Sequence, residues 1–177
     1  MQRKPADKAE LRAAQQPLKD HYRRDPDSAL GTLKAEAKLD DGVSALVGSH
    51  AGLVTAGLHP ATGGDGLEAC SGDMLLQALA ACAGVTLLAV STSMNIPVHA
   101  GAVRVEGDLD WRGTLGVSRD TPVGFSEIRV AYELDTDASD EQLDKLLELT
   151  ERYCVVYQTL AHSPSLSVSR TRLEGTA

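Results

Sequence analysis

Three residues of this chain can act as nucleophiles and change oxidation state: Cys70, Cys82 and Cys154. Cys82 is the most pointed of them. It sits in the middle of "CSGDMLLQALAACAGVTLLAV", residues 70–90, which reads as an apolar helix. A cysteine there is either a small packing residue or a thiol kept from bulk water. Cys70 and Cys82 are twelve positions apart. Along a helix that is a rise of roughly 18 Å, whereas a disulfide needs Cα atoms within about 7 Å. The two cannot pair while the helix holds, and Cys70 reads as structural. Cys82 and Cys154 are each expected on the buried face of a different helix, and those helices can meet.

Other chemistries find less support. The chain has no CxxC, and its five histidines lack ligand spacing, so no metal site is expected. No Walker loop occurs, and "TGGDG" does not match a dinucleotide fingerprint, so no cofactor is expected. One loop remains, "GLHPATGGDG" at 57–66. It serves either as a turn that sets up the helix start, or, through His59 or Asp65, as the mouth of a pocket.

The elements that must position these residues follow from periodicity. Residues 1–28 are polar, with Leu11, Leu18 and Tyr22 at roughly helical spacing. A short surface helix is expected from Lys8 to Tyr22, broken or kinked at Pro17. Residues 29–177 read as a single domain. "LGTLKAEAKL" and "VSALVGSH", joined by "DDG", predict a hairpin, and "AGLVTAGL" a third strand. The long helix is expected from Ser71, as its cap, to about Met94, buried on most sides, with Asp73 suiting its first turn. In "VHAGAVRVEGDLDW", Val103, Val105, Leu109 and Trp111 share one parity and Arg104, Glu106, Asp108 and Asp110 the other. That is a strand with one wet face. "SEIRVAYEL" repeats it, with Ile128, Val130, Tyr132 and Leu134 inward. "SDEQ" at 139–142 is a capping box, after which Leu143, Leu147, Thr150 and Cys154 form a helical stripe. "SLSVSRTRL" is expected to close the chain as a strand. The order predicts an α+β fold with mostly antiparallel pairing.

Composition narrows the partners. Of 177 residues, 42% are hydrophobic but only six are Phe, Trp or Tyr, so Leu, Val and Ala must build the core. Such a chain gains stability by pairing with a second copy. A net charge of −8 argues against nucleic acid and against an anionic membrane surface. Residues 74–90 form 17 positions without a charge, but Gln77, Gly84, Thr86 and five alanines dilute them, and a core helix is expected rather than a membrane span. The opening residues carry no apolar run of a secretory leader, so a reducing cytoplasm is expected.

"ACSGDMLLQALAACAGVTL" together with "ERYCVVYQTL" resembles the OsmC/Ohr superfamily, the osmotically induced and organic hydroperoxide resistance proteins. The resemblance runs from about Leu30 to Leu173. It implies antiparallel sheets around a long central helix, in an intertwined homodimer with active sites at the subunit interface. It further implies that Cys82 attacks a hydroperoxide and that Cys154 resolves the product as a disulfide, re-reduced by a dithiol. The organic hydroperoxide branch keeps an arginine before an Asp-Gly in the first hairpin, held by a glutamate in the first turn of the central helix. Here the hairpin reads "KLDDG", with Lys38 but no arginine, and only Asp73 can stand for the glutamate. Arg23, Arg24 and Arg152 are the candidate cations from elsewhere. The alternative is a non-catalytic dimer of the same fold that binds a small apolar or thiol-reactive ligand.

Overall fold

The computed structural model describes residues 6–49 and 52–172. The first helix, α1 (Lys8–Arg24), is capped by the Asp7 carboxylate, which accepts from Glu10 N–H, and it runs through Pro17 without a break. Proline at that point removes one hydrogen bond, and the flanking Ala, Gln, Leu and Lys are strong helix formers that carry the helix on.

Strands β1 (Ala37–Leu39), β2 (Ala45–Ser49) and β3 (Gly52–Gly57) form the expected antiparallel meander, with Leu39 opposite Ala45 and Val47 opposite Val54. Gly42 supplies the left-handed turn residue, φ +70°, where the sequence reads Asp-Asp-Gly. The first strand is shorter than its sequence suggested. A fourth strand, β4 (Ala69–Cys70), joins β3 in parallel, which no local pattern announced.

Helix α2 (Ser71–Met94) has the expected limits. Its cap is Cys70 rather than Ser71, which is already the first helical residue, and Cys70 makes no side-chain capping bond. Asn95 ends it in the left-handed conformation, φ 59°. The expectation of burial on most sides is corrected. Leu79, Ala83, Leu87, Val90 and Ser91 are buried, but Val85 and Leu88 on the opposite side are 71% and 54% exposed. Its length and apolarity would let it cross a membrane, yet it packs on a ribbon and three helices as a core helix does.

That ribbon is β5 (Ala100–Leu109) paired antiparallel with β6 (Phe125–Asp135). Val103, Val105, Ile128, Val130 and Tyr132 face α2, while Arg104, Glu106 and Asp108 face water, as alternation required. Trp111 departs from the strand: it opens a single helical turn, α3 (Trp111–Thr114), capped by Asp110. Gly107 has a packing reason, because a Cβ there would lie 2.6 Å from the Phe125 ring.

Helix α4 (Asp140–Tyr153) begins in the expected capping box: the Ser139 hydroxyl accepts from Gln142 N–H and the Gln142 side chain accepts from Ser139 N–H. Its fully buried residues are Leu146 and Thr150, with Leu143 and Leu147 half-buried. The helix stops at Tyr153. Cys154 adopts extended backbone, ψ 107°, and a new helix, α5 (Val155–Ala161), starts at once. The Gln158 side chain bridges the break by donating to the Glu151 carbonyl at 2.9 Å. Residues 163–172 do not form the expected closing strand. They lie unpaired, with Leu166 and Val168 more than nine-tenths exposed. Alternation alone does not make a strand without a neighbouring edge to bond to.

Two apolar clusters hold the fold together. Leu87, Val90, Ile96 and Leu146 join the second half of α2 to α4. Leu79, Ala83 and Cys154 join its first half to α5 and the ribbon, and Cys82 packs against this second cluster.

Candidate active site

Cys82 and Cys154 both enter the second cluster, from α2 and from the α4–α5 junction respectively. Both are free thiols, they share one apolar cluster, and each shifts the other's ionisation. Cys154 is 1% exposed, whereas Cys82 is half-buried. The sequence stripe placed Cys154 correctly on the core side, but its position depends on the break. Ending α4 there turns the first amides of α5 toward Cys82.

Those amides decide the charge state. Burial pushes the Cys82 thiol up, but the Val156 and Val155 N–H groups, the Cys154 thiol and the Thr86 hydroxyl all favour its ionised form, and together they bring it below the ordinary thiol value. The first-turn amides of a helix have no partner within it, so a sulfur anion is a natural acceptor for them. Cys154 moves the opposite way. Burial raises it, and the adjoining Cys82 sulfur raises it further, although the Tyr157 and Val156 amides ease its ionisation. Cys82 is therefore the more acidic member of the pair, and Cys154 holds its proton the more tightly. Two phenols close the site. Burial pushes Tyr132 up to about 12, with smaller contributions from Cys154, Glu151, Tyr157 and Cys82, and it raises Tyr157 as well.

A cavity of about 320 Å³ opens on the same cluster, although neither cysteine lines it. Leu79, Ile128, Val130, Tyr157 and Leu160 line it and also belong to the cluster around the sulfurs.

The other candidates lie apart. Asp73 is exposed and nine residues before Cys82 on α2, roughly 13 Å away along the axis, so within one protomer they do not touch. Asp73 instead lines a second cavity, of about 300 Å³, with Cys70, His59, Asp108, Trp111 and Phe125. His59 stacks on Trp111 at 4.5 Å, and its Nδ1 accepts from Ala61 N–H at 3.0 Å. Asp65 closes its own loop by accepting from Leu67 N–H at 2.9 Å and lines neither cavity. Arg23 pairs with Asp20, and Arg152 lies over the Tyr153 ring at 5.6 Å. No cation is among the groups that hold the Cys82 charge. Among the described residues no cluster of His, Cys, Asp or Glu has the makings of a metal site.

Sequence reasoning missed Thr86, although its place four residues after Cys82 was a readable signal. It also missed the two valine amides, which no side-chain pattern encodes.

A long helix under a two-stranded ribbon, presenting one thiol to a second at a helix junction, defines a small α+β dithiol protein. Residues 64–169 match the family model described as OsmC-like protein, and the chain belongs to that family. Solved structures agree in fold. An OsmC-like protein from Mycoplasma pneumoniae superposes with a TM-score of 0.61 at 18% identity, over 75% of this chain and 89% of that one. An organic hydroperoxide resistance protein from Elizabethkingia anophelis gives 0.60 at 17%, over 76% and 91%. One from Legionella pneumophila gives 0.55 at 16%, over 75% and 93%. No curated protein sequence matches the chain.

Proposed function

We propose that this protein is a thiol-dependent peroxidase that reduces organic hydroperoxides through Cys82 and Cys154. The observation that carries this reading is the meeting of the two thiols in one apolar cluster, with Cys82 the more acidic member and a cavity opening on the same cluster. Likeness to proteins named for organic hydroperoxide resistance supports it.

The Cys82 thiolate attacks the terminal oxygen of the hydroperoxide. The O–O bond breaks, an S–O bond forms, and the alkoxide leaves as an alcohol after taking a proton from water. Cys82 is now a sulfenic acid. The Cys154 sulfur attacks it, an S–S bond forms, and the hydroxyl leaves as water with the Cys154 proton. An external dithiol reduces the disulfide by two exchanges and is itself oxidised. The alkyl group of the substrate occupies the cavity lined by Leu79, Ile128, Val130 and Leu160. The working form is a homodimer in the cytoplasm. The open face of α2, with Val85 and Leu88 exposed, is the surface that a second copy covers. In that dimer Asp73 is assigned to the interface end of the site, brought to Cys82 by the partner.

One equivalent of an organic hydroperoxide, followed by a sulfenic-acid trap and mass spectrometry, tests the reading. An adduct on Cys82 in a Cys154→Ala protein supports it. No adduct there, with all thiols intact, overturns it and leaves a ligand-binding dimer. Sedimentation at micromolar concentration showing only monomer would remove the dimer.

A further inference from the structure

The cavity assigned to the alkyl group has an end wall that the peroxidase reading leaves unused. Phe125 is the chain's one phenylalanine. Among the described residues it alone lines both cavities: the one of about 320 Å³ beside the thiol cluster, and the one of about 300 Å³ that holds Asp73, His59 and Trp111. Its side chain is the partition between them.

A bulge puts it there. In strict alternation Phe125 and Ile128, three positions apart, would face opposite sides of β6. The register shifts between Asp108 and Leu109, which pair with Glu127 and Phe125, and Ser126 is left over. The Ser126 hydroxyl closes the irregularity by donating to the Asp108 carbonyl at 3.0 Å. Phe125 is thereby turned to the side of Ile128 and Val130, half-buried like them. Two glycines make room for the ring. A Cβ on Gly107 of β5 would lie 2.6 Å from it, and one on Gly72, in the first turn of α2, 3.5 Å. The ring thus reaches from the ribbon to α2. Gly72 stands ten residues before Cys82, roughly 15 Å along the helix axis, and Phe125 is not in the cluster around the sulfurs. It closes the end of the cavity away from the thiols.

We propose that Phe125 sets the size of the substrate, its ring limiting the cavity to compact aryl or short-chain alkyl hydroperoxides and turning away long-chain ones. The proposal rests on the peroxidase reading. A cavity of about 320 Å³ is at the small end for a ligand site, where about 300–1,000 Å³ is usual. Any chain that does not fit in front of the ring stays in water and gains no burial. Without the ring the second cavity is joined to the first, and the space roughly doubles. Glu127 is the one charged residue on the wall, and Arg129 pairs with it at 3.2 Å, so uncharged probes isolate the effect of size.

The test compares wild type with Phe125→Ala and Phe125→Leu, each checked for folding by its melting curve. With a dithiol present, kcat/KM is measured for cumene hydroperoxide and for methyl linoleate hydroperoxide. The readout is the ratio of the two values, because a merely structural loss lowers both alike. Wild type should favour cumene hydroperoxide by about tenfold or more; the alanine variant should lose or reverse that preference, and the leucine variant should fall between. A ratio unchanged in both folded variants overturns the proposal. Trp111, the chain's one tryptophan, lines the second cavity and gives a readout that needs no turnover. Bromododecanol with its bromine at the chain end, an analogue of the alcohol product, should quench Trp111 fluorescence in the alanine variant and far less in wild type. If wild type turns over neither hydroperoxide, the peroxidase reading falls and quenching decides alone: quenching gained in the variant keeps Phe125 as the size limit of a ligand cavity, and equal quenching removes that as well.

Discussion

Replacing Cys154 with alanine separates its two roles. The change deletes one sulfur at a site that is 1% exposed, between two helices. The lost burial is worth about 1 kcal/mol. A residual void of about 20 Å³ adds about 0.5 kcal/mol at the slope found for core truncations. A total of about 1.5 kcal/mol lowers the melting temperature by about 3–6 °C in a chain of this size. The protein stays folded. Cys82 loses one of the groups that favour its ionisation and keeps the influence of the Val155 and Val156 amides, so it should still react. The two proteins then differ in product. One equivalent of cumene hydroperoxide without reductant should leave wild type about 2 Da lighter, as the Cys82–Cys154 disulfide. It should leave the variant about 16 Da heavier, as sulfenic acid, with further oxygens added at higher peroxide. With a dithiol present, steady turnover of the variant should fall by about tenfold or more, because a bulky reductant must then reach a half-buried sulfenic acid directly. Wild-type turnover rates in the variant, or persistent sulfenic acid in wild type, would refute the resolving role.

Leu146→Ala should be far more damaging to stability than Cys154→Ala. Leu146 is 0% exposed at the α2–α4 contact, and denaturant titration should show a loss of about 2–5 kcal/mol. Tyr132 predicts an alkaline limit. Its folded pKa, pushed up to about 12 chiefly by burial, exceeds the unfolded value near 10, so the folded state holds the proton longer. Stability from this group is full below pH 10 and is lost as pH rises toward 12. Tyr132→Phe should flatten that decline, and denaturation at pH 9 and pH 11 checks it; an equally steep loss in the variant would place the alkaline limit elsewhere.

Much of the fold could be read from short windows. The limits of α2, the capping box of α4 and the parity of β5 and β6 all depend on residues within one or two turns of each other, and all appear where the sequence put them. The same local logic misjudged Trp111, which a neighbouring aspartate caps into a helical turn, and residues 165–172, which alternate but meet no edge. It also overlooked β4, whose two residues gain strand geometry only by pairing with β3.

The site divides along the same line. The sequence by itself determined that Cys82 and Cys154 face the core, and that Cys70 cannot pair with Cys82 along α2, but it put Cys154 on a helix where the chain instead breaks. Only the tertiary structure decided which thiol is the acidic one. Composition is silent on this, because the deciding groups are backbone amides, which every residue but proline carries alike. The break at Cys154 sets where α5 begins, and the packing of α5 on α2 sets which sulfur its free amides meet. A sulfur's ionisation depends on donors within a few ångströms, and those are brought together here by chain segments some seventy residues apart.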